Sequence, residues 1–166
     1  DECSKIDEEY NTTRMSIEDY RKKIESLFNS LEVIDTEGVR LSLANGDKFI
    51  VSIGQRVLNK ELVENGSVPV YSANVFEPFG YVDELLITDF SLDSVLWGID
   101  GDWLVNFIPK DNPFYPTDHC GVLRCKTDEV NPRYLAHVLK NEGKKMGFSR
   151  NYRASIERVK GITFYV

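Results

Sequence analysis

The chain has 166 residues, 42% of them hydrophobic, and a formal net charge of −7. That suits one domain with a sizeable core and an appended helix, and leaves no comfortable room for two enzymatic domains. An acidic total excludes broad attraction to DNA or to an anionic membrane, so any polyanion contact has to be local, and no apolar run approaches a membrane span.

The chain begins at Asp1 without Met or a signal peptide and stops within the apolar run ITFYV, which reads as a piece excised from a longer polypeptide. Ile6 and Tyr10 lie four apart among acids and suggest a short helix, broken at Asn11-Thr12-Thr13. Ser16 to Leu31 is the strongest helical segment: Ser16 is the expected cap with Asp19 three residues on, and Ile17, Tyr20, Ile24, Leu27, Phe28 and Leu31 share one face. That stripe is expected to bury itself against the domain, a second copy or a partner. Residues 1–35 are therefore assigned to a helical spacer or docking segment and residues 36–166 to the main domain.

From Val39 the apolar period shifts from about 3.6 to 2. Val39, Leu41 and Leu43 alternate with polar residues, Asn45-Gly46 signals a hairpin, and Phe49, Val51 and Ile53 alternate beyond it. A second Asn-Gly at Asn65-Gly66 precedes Val68 to Tyr71. Further β-rich runs are read at Tyr81-Val82, Leu85 to Thr88, Val95 to Ile99, Trp103 to Ile108 and Cys120 to Cys125, with Asp100-Gly101-Asp102 as a tight turn. Asn131-Pro132 opens a short helix with Leu135, Val138 and Leu139 inward and Gly143 as its stop. Ala154 to Lys160 reads as another helical turn or two, and Ile162 to Val166 as a closing strand. The fold class is α+β: a β-rich, mostly antiparallel sheet domain with short helices and an N-terminal amphipathic helix.

Charge is unevenly placed along this order. Residues 131–166 carry eight Lys or Arg against Glu142 and Glu157, a balance of +6, whereas residues 61–100 hold eight acids and no base. A polyanion partner at the C-terminal end is one reading, and a solvated helix face is the other. Lys144, Lys145, Arg158 and Lys160 suit phosphates; Ser149, Arg150, Asn151, Tyr152 and Arg153 suit base edges or stacking. The loop from Tyr71 to Gly80 adds Ser72 and Asn74 as polar readers beside Phe76 and Phe79, for which packing on the core is the favoured reading.

Other chemistries find little support. The odd, uneven set Cys3, Cys120 and Cys125 argues against a disulfide framework and for a reducing cytoplasm, and His119-Cys120 with Cys125 lacks the spacing and fourth ligand of structural zinc. Asp93, Asp100, Asp102 and Asp118 could be imagined as a metal-dependent nuclease cluster, but Asp-Gly-Asp between strands is more often a turn. His137 reads as structural and His119 has no triad around it. There is no Walker loop, no GxGxxG and no adenosine-binding loop, so no cofactor is expected.

An ordered set of segments from about Phe49 to Val166 carries a family resemblance: SVPVYSANVFEPFGYVD, SVLWGIDGDW, FYPTDHCGVLR, NPRYLAHVL and SRNYRASIERVKGI. In this order they resemble the target-recognition domain of specificity subunits from type I restriction-modification systems. The turn Gly98 to Gly101 is more acidic than in relatives. Residues Asp1 to Leu31 look like the tail of an adenine-N6 methyltransferase subunit, as where modification and specificity parts share one polypeptide. The resemblance implies a DNA-binding module without catalysis of its own, working with a methyltransferase domain or subunit and a restriction translocase/endonuclease subunit. S-adenosylmethionine would belong to those other parts. Two rival readings are a β-rich module binding carbohydrate or protein through Trp97, Trp103, Tyr115 and Phe79, and the small nuclease.

Overall fold

A computed structural model describes residues 16–27 and 38–166. The chain divides into two units, Asp1–Glu37 and Gly38–Val166. In the first, residues 16–27 are helical (α1). The remainder of the expected helix to Leu31, the Ile6–Tyr10 segment and the Asn11–Thr13 break lie outside the described residues. The side chains of Ile17, Tyr20, Ile24 and Leu27 are exposed, Tyr20 by 68% and Ile24 by 52%.

The second unit is built on two strands that are buried along their whole length, Ser94–Gly98 (β5) and Cys120–Cys125 (β8). Both carry near-continuous apolar runs because a central strand covered on both faces needs no polar alternation. They pair antiparallel, and Phe49–Ile53 (β2) and Val105–Ile108 (β6) complete a four-stranded antiparallel sheet in the order β2-β8-β5-β6. Gly121 makes this packing possible: a Cβ there would fall 2.0 Å from the ring of Trp97, which is fully buried and donates Nε1–H to the Ala154 carbonyl at 2.9 Å.

One face of this sheet carries Val95, Trp97, Leu123 and Cys125 into a core closed by Leu135, Val138 and Leu139 of helix Pro132–Lys145 (α2), Val159 of helix Ile156–Lys160 (α3) and Phe164. Each such side chain contributes roughly 1.5–3 kcal/mol by leaving water. The opposite face carries Leu96, Cys120 and Val122 against Val75 and Phe114. Cys120 and Cys125 lie in these two different clusters, five residues apart on one strand, so they cannot share a metal or a disulfide. Burial pushes the Cys120 thiol up to about 12.

Two small sheets flank the main one. Arg40–Ser42 (β1) pairs antiparallel with Thr163–Tyr165 (β9). Val68–Tyr71 (β3) pairs antiparallel with Gly80–Val82 (β4) and parallel with Tyr115–Pro116 (β7). The α+β, mostly antiparallel class therefore holds, with one parallel pair.

Three local expectations are corrected. Asn45-Gly46 does turn the chain, but the strands on either side join different sheets, β1 with β9 and β2 with β8, so they form no hairpin. Leu85 to Thr88 is not a strand. Gly143 does not stop α2. It sits inside the last turn, with the Trp103 ring where its Cβ would be, 2.2 Å away, and the helix ends at Lys145 with Met146 as its cap, before Gly147 with φ +79°. The Asn131 cap, whose side chain accepts from Arg133 N–H at 2.9 Å, and Pro132 at the first turn are as expected.

Candidate nucleic-acid interface

The basic stretch after α2 folds into a tight turn. Ser149 and Tyr152 exchange backbone hydrogen bonds at 3.0 and 3.1 Å, which puts Arg150 and Asn151 at the exposed tip. Behind the tip stands an aromatic column: Trp103 against Phe148 at 5.0 Å, Phe148 stacked on Tyr152 at 5.8 Å, and the Arg158 guanidinium over the Tyr152 ring at 3.9 Å. Arg158 also donates to the Arg153 carbonyl at 2.7 Å. Tyr152 and Arg158 are thus engaged with one another and with the turn.

The acidic turn Asp100-Gly101-Asp102 reaches the basic one. Arg153 forms a two-pronged pair with the Asp100 carboxylate, Nε to Oδ1 and Nη2 to Oδ2, the latter at 3.0 Å. His119 Nδ1 also bonds Asp100 Oδ2, and Arg150 lies 3.5 Å from Asp102. Backbone bonds stitch the same place together: Ile99 N–H donates to the His119 carbonyl and Ala154 N–H to the Ile99 carbonyl, each at 3.0 Å. Gly101 supplies the left-handed step at φ +91°.

The loop of residues 72–79 comes down beside this turn. A Cβ on Gly98 would meet the Ala73 carbonyl at 2.4 Å, so only glycine lets the loop base approach. Val75 is fully buried, and Asn106 holds its carbonyl at 2.7 Å. Asn74 is exposed, and its Oδ1 accepts from Phe76 and Glu77 N–H at 3.0 and 3.4 Å, which leaves the amide nitrogen as its outward donor. Ser72 accepts from the Thr117 hydroxyl at 3.2 Å. Phe76 and Phe79, favoured as core residues, are 56% and 50% exposed: Val75 fills the core, and its neighbours on this tight loop turn outward.

Ser72 and Arg153 thereby lie at the two ends of one polar string. It runs from Ser72 to Thr117, to the backbone N–H of His119, and from the His119 ring to Asp100 and Arg153. Asp118, beside it, lines open clefts on both sides, one of about 460 Å³ with Arg153, Arg158 and Ile99, the other of about 430 Å³ with Ser72, Phe79 and Arg56. Lys144 and Lys145 are exposed at the C-terminal end of α2, Lys145 within 2.7 Å of Glu142, and Lys160 lies 3.6 Å from Glu157.

Sequence reasoning missed Thr117, His119 and the pairing role of Asp100. Only the density of polar residues in Pro116 to His119, next to a largely apolar run, hinted at them. Of the four acids weighed as a metal cluster, Asp100 and Asp102 face arginines and Asp93 accepts from Lys110 N–H at 2.7 Å, while Asp118 lines the clefts. Trp97 is buried and Trp103 donates to the Lys140 carbonyl at 2.8 Å, so neither is an open sugar platform.

No family model matches the chain. A Mycoplasma pneumoniae protein named as the N-terminus of a type I specificity subunit is 29% identical over 92 residues, covering 54% of this chain and 49% of that protein. A second type I specificity subunit of that organism is 32% identical over 57 residues, 34% of this chain and 17% of the relative. The chain spans about half, or less, of the length of these curated relatives. Among solved structures, the S subunit of a type I restriction-modification system from M. genitalium superposes with a TM-score of 0.59 at 19% identity, over 83% of this chain and 36% of that one. The HsdS subunit from Thermoanaerobacter tengcongensis gives 0.53 at 13% identity, over 90% and 41%. In fold and in local sequence, the chain resembles part of the type I specificity subunits.

Proposed function

We propose that this chain, with the fold of type I specificity subunits and a local sequence likeness to them, recognises a short DNA target and directs a restriction-modification complex to it. The observation that carries the reading is the common rim: the loop with Ser72 and Asn74 and the turn with Arg150 to Arg153 converge on Asp100 and His119. A duplex groove presented to that rim meets hydroxyl, amide and guanidinium donors together, which is the mixture that distinguishes base pairs. Lys144 and Lys145 extend the surface as compact charges for phosphates.

Residues 36–166 form the reading domain in this proposal. Residues 1–35 act as spacer or docking segment, supported by the apolar stripe of Ile17, Tyr20 and Ile24 on α1. The role is binding, with methylation and cleavage performed by an adenine-N6 methyltransferase domain or subunit and a translocase/endonuclease subunit. Among the described residues no helix is long and apolar enough to cross a membrane, and a DNA-directed role places the protein in the cytoplasm.

The test compares two sets of variants in the parent complex, on its methylated target and on random duplex of equal length. Joint substitution of Lys144 and Lys145 by Ala should weaken both duplexes alike and flatten the salt slope by about one per lost contact. Arg153→Ala or Arg150→Ala should reduce affinity by about 1–3 kcal/mol, mainly on the target. Full target affinity in all of these variants would remove the rim from the interface.

A further inference from the structure

Arg153 and Asp100 meet in a specific orientation. The carboxylate takes Nε–H and one Nη2–H, the side edge of the guanidinium. The opposite Nη2–H and an Nη1–H remain, parallel and pointing along the side chain, and they form the fork that fits two adjacent acceptors. The Arg153 side chain is 59% exposed, whereas that of Asp100 is 29% exposed. The acid is thus the more covered member of the pair, and the bonds it takes leave the end of the guanidinium unoccupied by Asp100. Asp100 is itself fixed: His119 bonds its Oδ2, the Gly98 seat sets the turn beneath it, and Arg158 holds the Arg153 carbonyl.

We infer that Asp100 is a positioning residue which, backed by His119, presents Arg153 end-on to a guanine in the major groove. This rests on the DNA-reading function above and adds what the acidic turn is for. An acid on a DNA-facing surface repels phosphate, so its presence there calls for a gain elsewhere. Holding a long arginine in one rotamer supplies it, because the side-chain entropy lost on ordering is given up before DNA arrives. Guanine is the matching base, since its N7 and O6 are the adjacent acceptors that a guanidinium fork spans.

The experiment uses the parent complex, a duplex carrying the sequence that it methylates, the same duplex with 7-deazaguanine replacing each guanine in turn, and a random duplex. Asp100→Asn keeps the shape and removes the carboxylate. It should lower target affinity about tenfold, while random-duplex affinity stays or rises because a negative charge has gone. His119→Gln should lower target affinity by a smaller factor. One 7-deazaguanine position should weaken the wild type and leave Asp100→Asn and Arg153→Ala unaffected. The double change of Asp100→Asn with Arg153→Ala should be no worse on the target than Arg153→Ala alone. Stronger target and random binding by Asp100→Asn would make the acid a competitor of DNA and overturn the inference, as would independent, additive losses. If Arg153→Ala itself spares the target, the reading of the rim fails, which distinguishes that failure from a failure confined to Asp100. A thermal melt of each variant separates misfolding from lost orientation.

Discussion

The two loops that meet at the rim are held by different forces. The loop of residues 72–79 hangs on one apolar plug: Val75 is fully buried, its carbonyl is bonded by Asn106, and Phe76 and Phe79 are left outside. The turn of residues 149–152 is held by a column of rings and by ion pairs, with Arg153 on Asp100 and Arg150 near Asp102. An apolar plug is indifferent to salt and frees the loop's polar and aromatic tips. Ion pairing through arginine side chains that are 59% and 75% exposed is screened by salt, and it occupies donors that the loop would otherwise present. Within one surface, then, the same task of fixing a loop leaves the polar groups of one loop open and makes those of the other depend on how they are paired.

The contrast breaks most severely through the support of the column. Gly143 lies against Trp103, and any side chain there must push the indole away from both Phe148 and the Lys140 carbonyl. Gly143→Leu should lose about 3 kcal/mol of stability, seen as a lower urea midpoint. Gly46→Leu, where a Cβ meets nothing within 4 Å, should leave the midpoint nearly unchanged. Equal shifts for the two glycines would mean that Trp103 yields and the column is not a support.

For the other loop the plug is the point to attack. Val75→Ala leaves a cavity among Leu96, Phe114, Cys120 and Val122, and should lose about 2 kcal/mol. The loss should be the same at low and high salt. The stability added by the Arg153 pair, by contrast, should shrink as salt rises, so urea titrations of Val75→Ala and Arg153→Ala at two ionic strengths test whether the loops really differ in what holds them.

How far the sequence already spoke differs between the loops for the same physical reason. Periodicity and punctuation report burial and turns, so β5, β8, the Asn131-Pro132 helix start and the buried face of Leu135, Val138 and Leu139 were readable. The basic cluster was visible as composition. Its wiring was not, because Asp100 and Arg153 are 53 residues apart and nothing local marks them as partners. Gly143 misled as a helix stop for a similar reason: the ring that requires it comes from Trp103, on another element. Phe76 and Phe79 misled because hydrophobic character alone does not say which residue of a tight loop points inward. Asn45-Gly46 did signal a turn, but pairing partners are set by the whole sheet, and the turn joins strands of different sheets.

The smallest effect on folding should come from the exposed aromatics, and it sharpens the comparison best. Phe76 and Phe79 are more than half or half in water, so truncating either removes little buried area; Phe76→Ala and Phe79→Ala should each change stability by no more than about 0.5 kcal/mol. Tyr152→Ala should behave differently, since its ring lies between Phe148 and Arg158 in the column, and it should lower both the urea midpoint and target binding. In the parent complex the two phenylalanine variants should weaken duplex binding several-fold while the folded domain melts as before, because large apolar groups at a polar rim contribute by packing on sugar or base edges once DNA covers them. Unchanged affinity for both would assign loop 72–79 to scaffolding and leave target reading to the arginine turn alone. A lowered melting point with unchanged affinity would mean that the phenylalanines complete the plug around Val75, and the difference between the two loops would then be one of degree.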